Sequence, residues 1–311
     1  MATRPRSDSL SGLLRIALAA TTWGLIPVFV RLVNTSAAVI VFWRVAFAAL
    51  FVTIILGVRG RLGAFFKLPK RRMWAIIAMG TLLAVNWMLY LGALQLTKVA
   101  IAVLIAYCGP VFVAVLSPIV AHEPFDRRLI LPLLLALAGV ATIVGPQDMA
   151  LESGTHLLGA AMALASAVTY SLLILNAKRL IQGVPATVYT FGEYIGSLAL
   201  LLPVVLFSKG PSAPVEWGAL MVLGVVMTSA TGLIFLSGLR RVRADHAAVL
   251  TYAEPVSAVV FSAIFLNEPI TLATGIGAAL VVAGGAMVAR MEPQQGIETP
   301  GLVPDALSEE S

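Results

Sequence analysis

Charge is scarce in this sequence. Of its 311 residues only 12% are Asp, Glu, Lys or Arg, against about 25% in an ordinary soluble domain, whose solvated surface needs them. A soluble enzyme of this length is almost ruled out on that ground. The net charge of +6 does not rescue a nucleic-acid binder, which requires a clustered basic face on a soluble fold. Cysteine is nearly absent. Cys108 stands alone, so no intrachain disulfide forms and the redox compartment is unreadable. The histidines His122, His156 and His246 lie apart near loops, which leaves no His/Cys spacing for a metal. No Gly-x-x-x-x-Gly-Lys-Ser/Thr run occurs, so ATP-driven work by this chain alone is not expected. No cofactor is expected either.

What is abundant is apolar length. Hydrophobic types make up 59% of the chain and the mean hydropathy is +0.97. A membrane helix needs about 20 mostly apolar residues to cross a hydrocarbon layer about 30 Å thick. Ten such runs are readable, at 12–32, 36–57, 73–94, 98–121, 128–146, 156–179, 186–207, 216–239, 246–266 and 271–290. They are too long and too uniform for barrel strands, which alternate in segments of about ten residues. The expectation is therefore an all-α integral membrane protein of ten transmembrane helices.

Orientation follows from Lys and Arg, which collect on the cytoplasmic side. A cytoplasmic N-terminus puts Arg4, Arg6, Arg59, Arg61, Lys67, Lys70, Arg71, Arg72, Arg127, Arg128, Arg179, Arg240, Arg241, Arg243 and Arg290 on that side. Little beyond Lys98 and Lys209 is left for the other. Both termini are thus expected to be cytoplasmic. The tail 291–311, rich in Pro, Gly, Ser and acidic residues with no apolar periodicity, is expected to be disordered.

The chain also repeats itself. At an offset of 145 residues, Tyr107-x-x-Pro110-Val111 matches Tyr252-x-x-Pro255-Val256, Ser117 matches Ser262, Glu123-Pro124 matches Glu268-Pro269, and Gly139 matches Gly284. Each half holds five spans. Because five is odd, the second half enters the membrane from the opposite side, the inverted repeat common among secondary transporters. The expected organisation is an N-terminal segment 1–11, a first repeat 12–146, a linker 147–155 and a second repeat 156–290.

These halves, with Trp23-Gly24 near the start of the first, Phe42-Trp43-Arg44 in the second span and the repeated Pro and Glu closing spans four and nine, resemble the EamA-like group of the drug/metabolite transporter superfamily. The resemblance covers about residues 12–290. It implies a central cavity lined by spans one to four and six to nine, with five and ten peripheral. It implies a carrier of amino acids, amines or other small metabolites, most often an exporter, in a bacterial inner membrane.

A charge at mid-bilayer costs roughly 2.5–3.5 kcal/mol on insertion scales, so the few polar residues inside spans are the candidate site. Glu254 lies near the centre of span nine, directly before Pro255. It reads as a carboxylate alternating between proton and cationic substrate, or as half of a fixed salt bridge. Proline cannot donate a backbone N–H, which frees a carbonyl near Thr251. Gly109 stands in the first repeat where Glu254 stands in the second, with Pro110 after it. Arg44 in span two has Glu193 in span seven as its repeat mate. Arg44 reads as an anchor for a substrate carboxylate, or as a partner that neutralises Glu193 or Glu254. Asn86 in span three, with Thr231 as its mate, reads as a ligand contact or as glue between helices. Trp87, Tyr90, Tyr107, Tyr252, Thr251 and Gly109 are candidate cavity walls, and Pro110 and Pro255 candidate hinges or helix breaks.

The leading expectation is a secondary transporter exporting a small metabolite by alternating access, with a solute, the bilayer and possible protons as partners and no nucleic acid. An importer of a metabolite or vitamin would use the same fold. A polytopic membrane enzyme acting on lipid would need a His and Asp/Glu cluster at an interface, which is not visible. No enzymatic activity is expected.

Overall fold

The computed structural model describes residues 6–97, 99–144, 154–267 and 270–291. Among them every regular element is helical. In chain order the helices are α1 (Arg6–Trp23), α2 (Ile26–Val30), α3 (Ala37–Val58), α4 (Lys70–Leu96), α5 (Val99–Ala106), α6 (Gly109–Val120), α7 (Ile130–Val144), α8 (Gly154–Leu180), α9 (Ala186–Leu206), α10 (Pro214–Val222), α11 (Thr231–Leu239), α12 (Ala244–Leu250), α13 (Ala253–Leu266) and α14 (Leu272–Arg290). A π-helical stretch, Leu223–Ala230, joins α10 to α11.

Nine segments among the described residues are long and apolar enough to cross a membrane, as an integral membrane protein requires. The tenth expected span, 128–146, coincides with α7. That helix has 15 described residues, about 22 Å at 1.5 Å per residue, and residues 145–146 lie outside the description. So does most of the expected linker 147–155, and so do Glu268-Pro269 and the tail beyond Met291. Large aliphatic side chains stay exposed along the outside, for example Leu14, Leu18, Leu50, Ile54, Leu134 and Val282. In water such a surface would be a liability; facing lipid it costs nothing.

Proline punctuates three of the spans. Pro27, Pro110 and Pro255 each sit in the first turn of a short helix that restarts after a break. A proline lacks the N–H that would continue the ladder, so α1 ends before α2, α5 before α6 and α12 before α13. The breaks in spans four and nine fall at repeat-equivalent places.

The packing exchanges the two repeats. Helix α4 lies against α8, as α11 lies against α1. Helix α6 lies against α8, as α13 lies against α1. Peripheral α7 and α14 pack mainly on each other. There a Cβ added to Gly139 would stand 2.5 Å from the Gly277 carbonyl oxygen, and one added to Gly284 would stand 2.7 Å from that of Pro132. These contacts run in opposite order along the two helices, so α7 and α14 are antiparallel. Two copies of one element that meet antiparallel are related by an axis perpendicular to their length. That is the geometry of an inverted repeat.

Candidate functional site

Arg44 projects from about a third of the way along α3. Its guanidinium lies over the Trp87 ring of α4, 4.3 Å from the centroid, and its Nε donates to Thr228 Oγ1 at 2.9 Å. A cation over an indole face is stabilised by the ring quadrupole. Thr228 belongs to the π-helical stretch, where its hydroxyl donates to Leu223 O five residues back at 2.8 Å. That longer turn redirects main-chain carbonyls as well. Met227 O accepts from Trp23 Nε1 at 2.8 Å and Thr228 O from the Tyr194 hydroxyl at 3.3 Å. Gly224 makes the arrangement possible, because an added Cβ would collide with the Arg44 carbonyl.

Glu254 is the second residue of α13, one residue before Pro255. Its charge interacts with Arg44 and with Tyr90, Tyr107 and Tyr170. Three phenols, from α4, the break after α5, and α8, thus lie within electrostatic range of one carboxylate. Among the described residues no cation comes within 4.0 Å of it. Arg44 and Glu254 therefore attract across a gap and do not close it, so Arg44 is not spent on a salt bridge with Glu254. Nor is it paired with Glu193, whose Oε1 accepts from the Tyr189 hydroxyl at 3.2 Å one turn back on α9. The backbone near Thr251 also differs from the expectation. Glu254 N–H donates to Thr251 O at 3.0 Å, so that carbonyl is already engaged, and the Thr251 hydroxyl is shared between Ala248 O and the Tyr170 hydroxyl.

The remaining candidates divide. Trp87 lies under Arg44, and Tyr90 lies within electrostatic range of Glu254. Tyr107 and Tyr252 stack at 6.2 Å between centroids, and the Tyr252 hydroxyl donates to Tyr107 O at 2.7 Å. This ties the two proline breaks to each other across the repeat. Tyr252 is 0% exposed, a packed strut with no open face. Gly109 admits the Tyr170 ring, which an added Cβ would meet at 2.7 Å. Thr231 turns its hydroxyl to Val226 O at 2.8 Å and so serves the π-helical stretch.

Asn86 is 7% exposed and its amide donates to Ser166 O at 2.7 Å, Ser166 Oγ at 3.2 Å and Thr169 Oγ1 at 2.9 Å. The donors are committed to α8. Asn86→Leu is accordingly expected to lower the stability of the purified protein by about 1 kcal/mol, read as a drop in Tm, with the KM for solute unchanged. A KM shifted tenfold at unchanged Tm would make it a ligand contact instead.

Residues missed in the sequence complete the picture. Thr228, Tyr194 and Tyr189 serve the buried charges, and a Tyr beside or one turn before Glu193 was a readable signal. Two other carboxylates, set at the membrane boundaries, clip one repeat to the other. Glu123 Oε2 accepts the Ala244 N–H at 2.9 Å and the Ser117 hydroxyl at 3.0 Å. Burial raises the Glu123 carboxyl above its ordinary value, against the pull of Lys178, the Ala244 N–H and Arg243. Arg243 pairs with Asp245 at 2.6 Å and donates to Pro124 O at 2.5 Å. At the other boundary Glu216 Oε1 accepts the Asn34 N–H at 2.8 Å, while its second oxygen takes the N–H groups of Ser212 and Ala213.

Comparison with known proteins gives these observations a context. The sequence profile described as the EamA-like transporter family matches residues 10–145 and again 157–290. An uncharacterized transporter of Archaeoglobus fulgidus is 28% identical over 271 residues, 86% of this chain and 93% of that protein. The pseudopaline exporter CntI of Pseudomonas aeruginosa is 25% identical over 288 residues, 89% of this chain and 93% of that protein. A solved crystal structure superposes with a TM-score of 0.78 at 23% identity, covering 89% of this chain and 97% of the other; at that identity the likeness concerns the fold.

Proposed function

The chain belongs to the EamA-like transporter family, and on that premise we propose that it exports a small zwitterionic or amine-bearing metabolite by alternating access. One observation carries the reading. Arg44 and Glu254, opposite charges set among aromatic side chains, attract without meeting. A solute bearing a carboxylate and an amine would complete both pairs: the planar guanidinium suits the carboxylate and Glu254 suits the ammonium. Two charges left part-paired in a low-dielectric site favour a ligand that supplies the missing partners.

Glu254 is also the group that would exchange a proton for the solute, coupling export to proton entry. The repeats 12–146 and 156–290 would be the bodies that rock, in a bacterial inner membrane with both termini cytoplasmic. The outward direction is supported by the relative named as an exporter. The test is flux in proteoliposomes across a panel of amino acids and amines, with and without an imposed pH gradient. Saturable flux of a zwitterion or amine, driven by the gradient, is expected. Flux confined to uncharged solutes would overturn the reading.

A further inference from the structure

A second charged region lies away from the buried pair, at the end of the bundle where α1 begins. A cleft of about 350 Å³ opens there, lined by Asp8, Arg15, Gln182, Ser237, Arg240 and Arg241. Three arginines therefore share it with one aspartate. Arginines that serve only to set topology have no reason to converge, since like charges repel. These are forced together by packing. A Cβ added to Gly12 would stand 2.8 Å from Arg241 Cβ, and one added to Gly238 would stand 2.7 Å from Gly12 O. The two glycines let α1 and α11 touch, and that contact brings Arg15 up to Arg241.

Ser237 then orients two of the guanidiniums. Arg15 donates one terminal N–H to Ser237 Oγ at 2.9 Å, and Arg241 donates one to Ser237 O. Each keeps its other donors uncommitted, and among the described residues neither is ion-paired, Asp8 included. Arg240, beside them, donates to Val184 O. Its guanidinium is pushed below its ordinary pKa by burial and then by the like charge of Arg241. Arginine forks with open donors, held close by a third residue, are the donor set that recognises a phosphate oxyanion. Round α1 from Arg15 the helix carries an apolar track. Leu10, Leu14 and Leu18 follow one face of α1 and are 51%, 62% and 55% exposed.

We propose that this cleft binds a phosphate oxyanion, presented as the headgroup of an anionic phospholipid whose acyl chains lie along Leu10, Leu14 and Leu18. Basic pockets between helices at a membrane boundary commonly take such headgroups. The proposal is independent of the solute assignment.

The full-length chain, purified in detergent, tests it. Native mass spectrometry and Tm would be recorded with added phosphatidylglycerol, phosphatidylcholine or inorganic phosphate. Phosphatidylglycerol is expected to give a retained one-to-one adduct and a higher Tm. Phosphatidylcholine should give neither. The double variant R15Q/R241Q should need at least tenfold more phosphatidylglycerol for the same shift, while a control, R59Q/R61Q, should match the unmodified chain. Should R15Q/R241Q not fold, R241K replaces it; the charge remains but the fork is lost, and weaker binding is again expected. Equal affinity in the variant and the unmodified chain would overturn the site. Inorganic phosphate that reproduces the whole shift would overturn the lipid as its source.

Discussion

Replacing Glu254 by glutamine is expected to cut solute flux by about a hundredfold or more and to abolish its dependence on an imposed pH gradient. The substitution keeps the shape of the side chain and its place before Pro255. It removes the charge that attracts Arg44 and the oxygen that can take up a proton. In the solute-bound state Glu254 would pair with the solute's ammonium; truncating one partner of such a buried charge pair typically costs about 2–5 kcal/mol of binding, and each 1.4 kcal/mol is about a factor of ten. Aspartate in the same place restores the charge one methylene short, so partial flux with restored pH dependence should return. Glutamine transporting at the unmodified rate, with the pH dependence intact, would end the proposed role.

The second large effect concerns assembly. Gly80 on α4 faces the backbone of α9, where an added Cβ would collide with the carbonyl of Glu193. The clash is with main chain, which cannot swing away as a side-chain tip can. The same approach lets Ser197 Oγ donate to Gly80 O at 2.7 Å. Gly80→Val is therefore expected to leave little monodisperse protein on size-exclusion chromatography after extraction. Gly275→Ala, where nothing stands within 4 Å of the new Cβ, should behave as the unmodified chain. A Gly80→Val protein that extracts and elutes normally would show that α4 and α9 pack less closely than described.

Much of this architecture is written in the sequence in plain physical terms. Apolar runs must be helices in a bilayer because every backbone polar group has to be satisfied within its own segment. The helices begin and end close to where hydropathy changes. The breaks at Pro110 and Pro255 were readable because proline acts through its own covalent geometry. The pairing of Gly139 with Gly277 was not. Gly139 has Gly284 as its repeat mate, but antiparallel packing sets each against a different partner. The π-helical stretch was also hidden. Leu223–Ala230 contains nothing that separates five-residue from four-residue turns, so Thr228 could not be foreseen as the group that holds Arg44. Long-range partners were hidden for a related reason. Glu123 falls at the end of span four and Glu216 at the start of span eight, and the N–H groups that each accepts from the other repeat, of Ala244 and Asn34, lie more than a hundred positions away.

If export is coupled to an ion gradient as proposed, those two carboxylates bear on how the gradient is conserved. Each belongs to one repeat and grips the main chain of the other, Glu123 at Ala244 and Glu216 at Asn34, and in this structure both grips are made. A carrier that rocks must release one while the other holds. Releasing both at once would open an uninterrupted aqueous path and dissipate the ion gradient without moving cargo. Under the proposed alternating access the clips would act as the two doors of an airlock, and economy would rest on never opening them together.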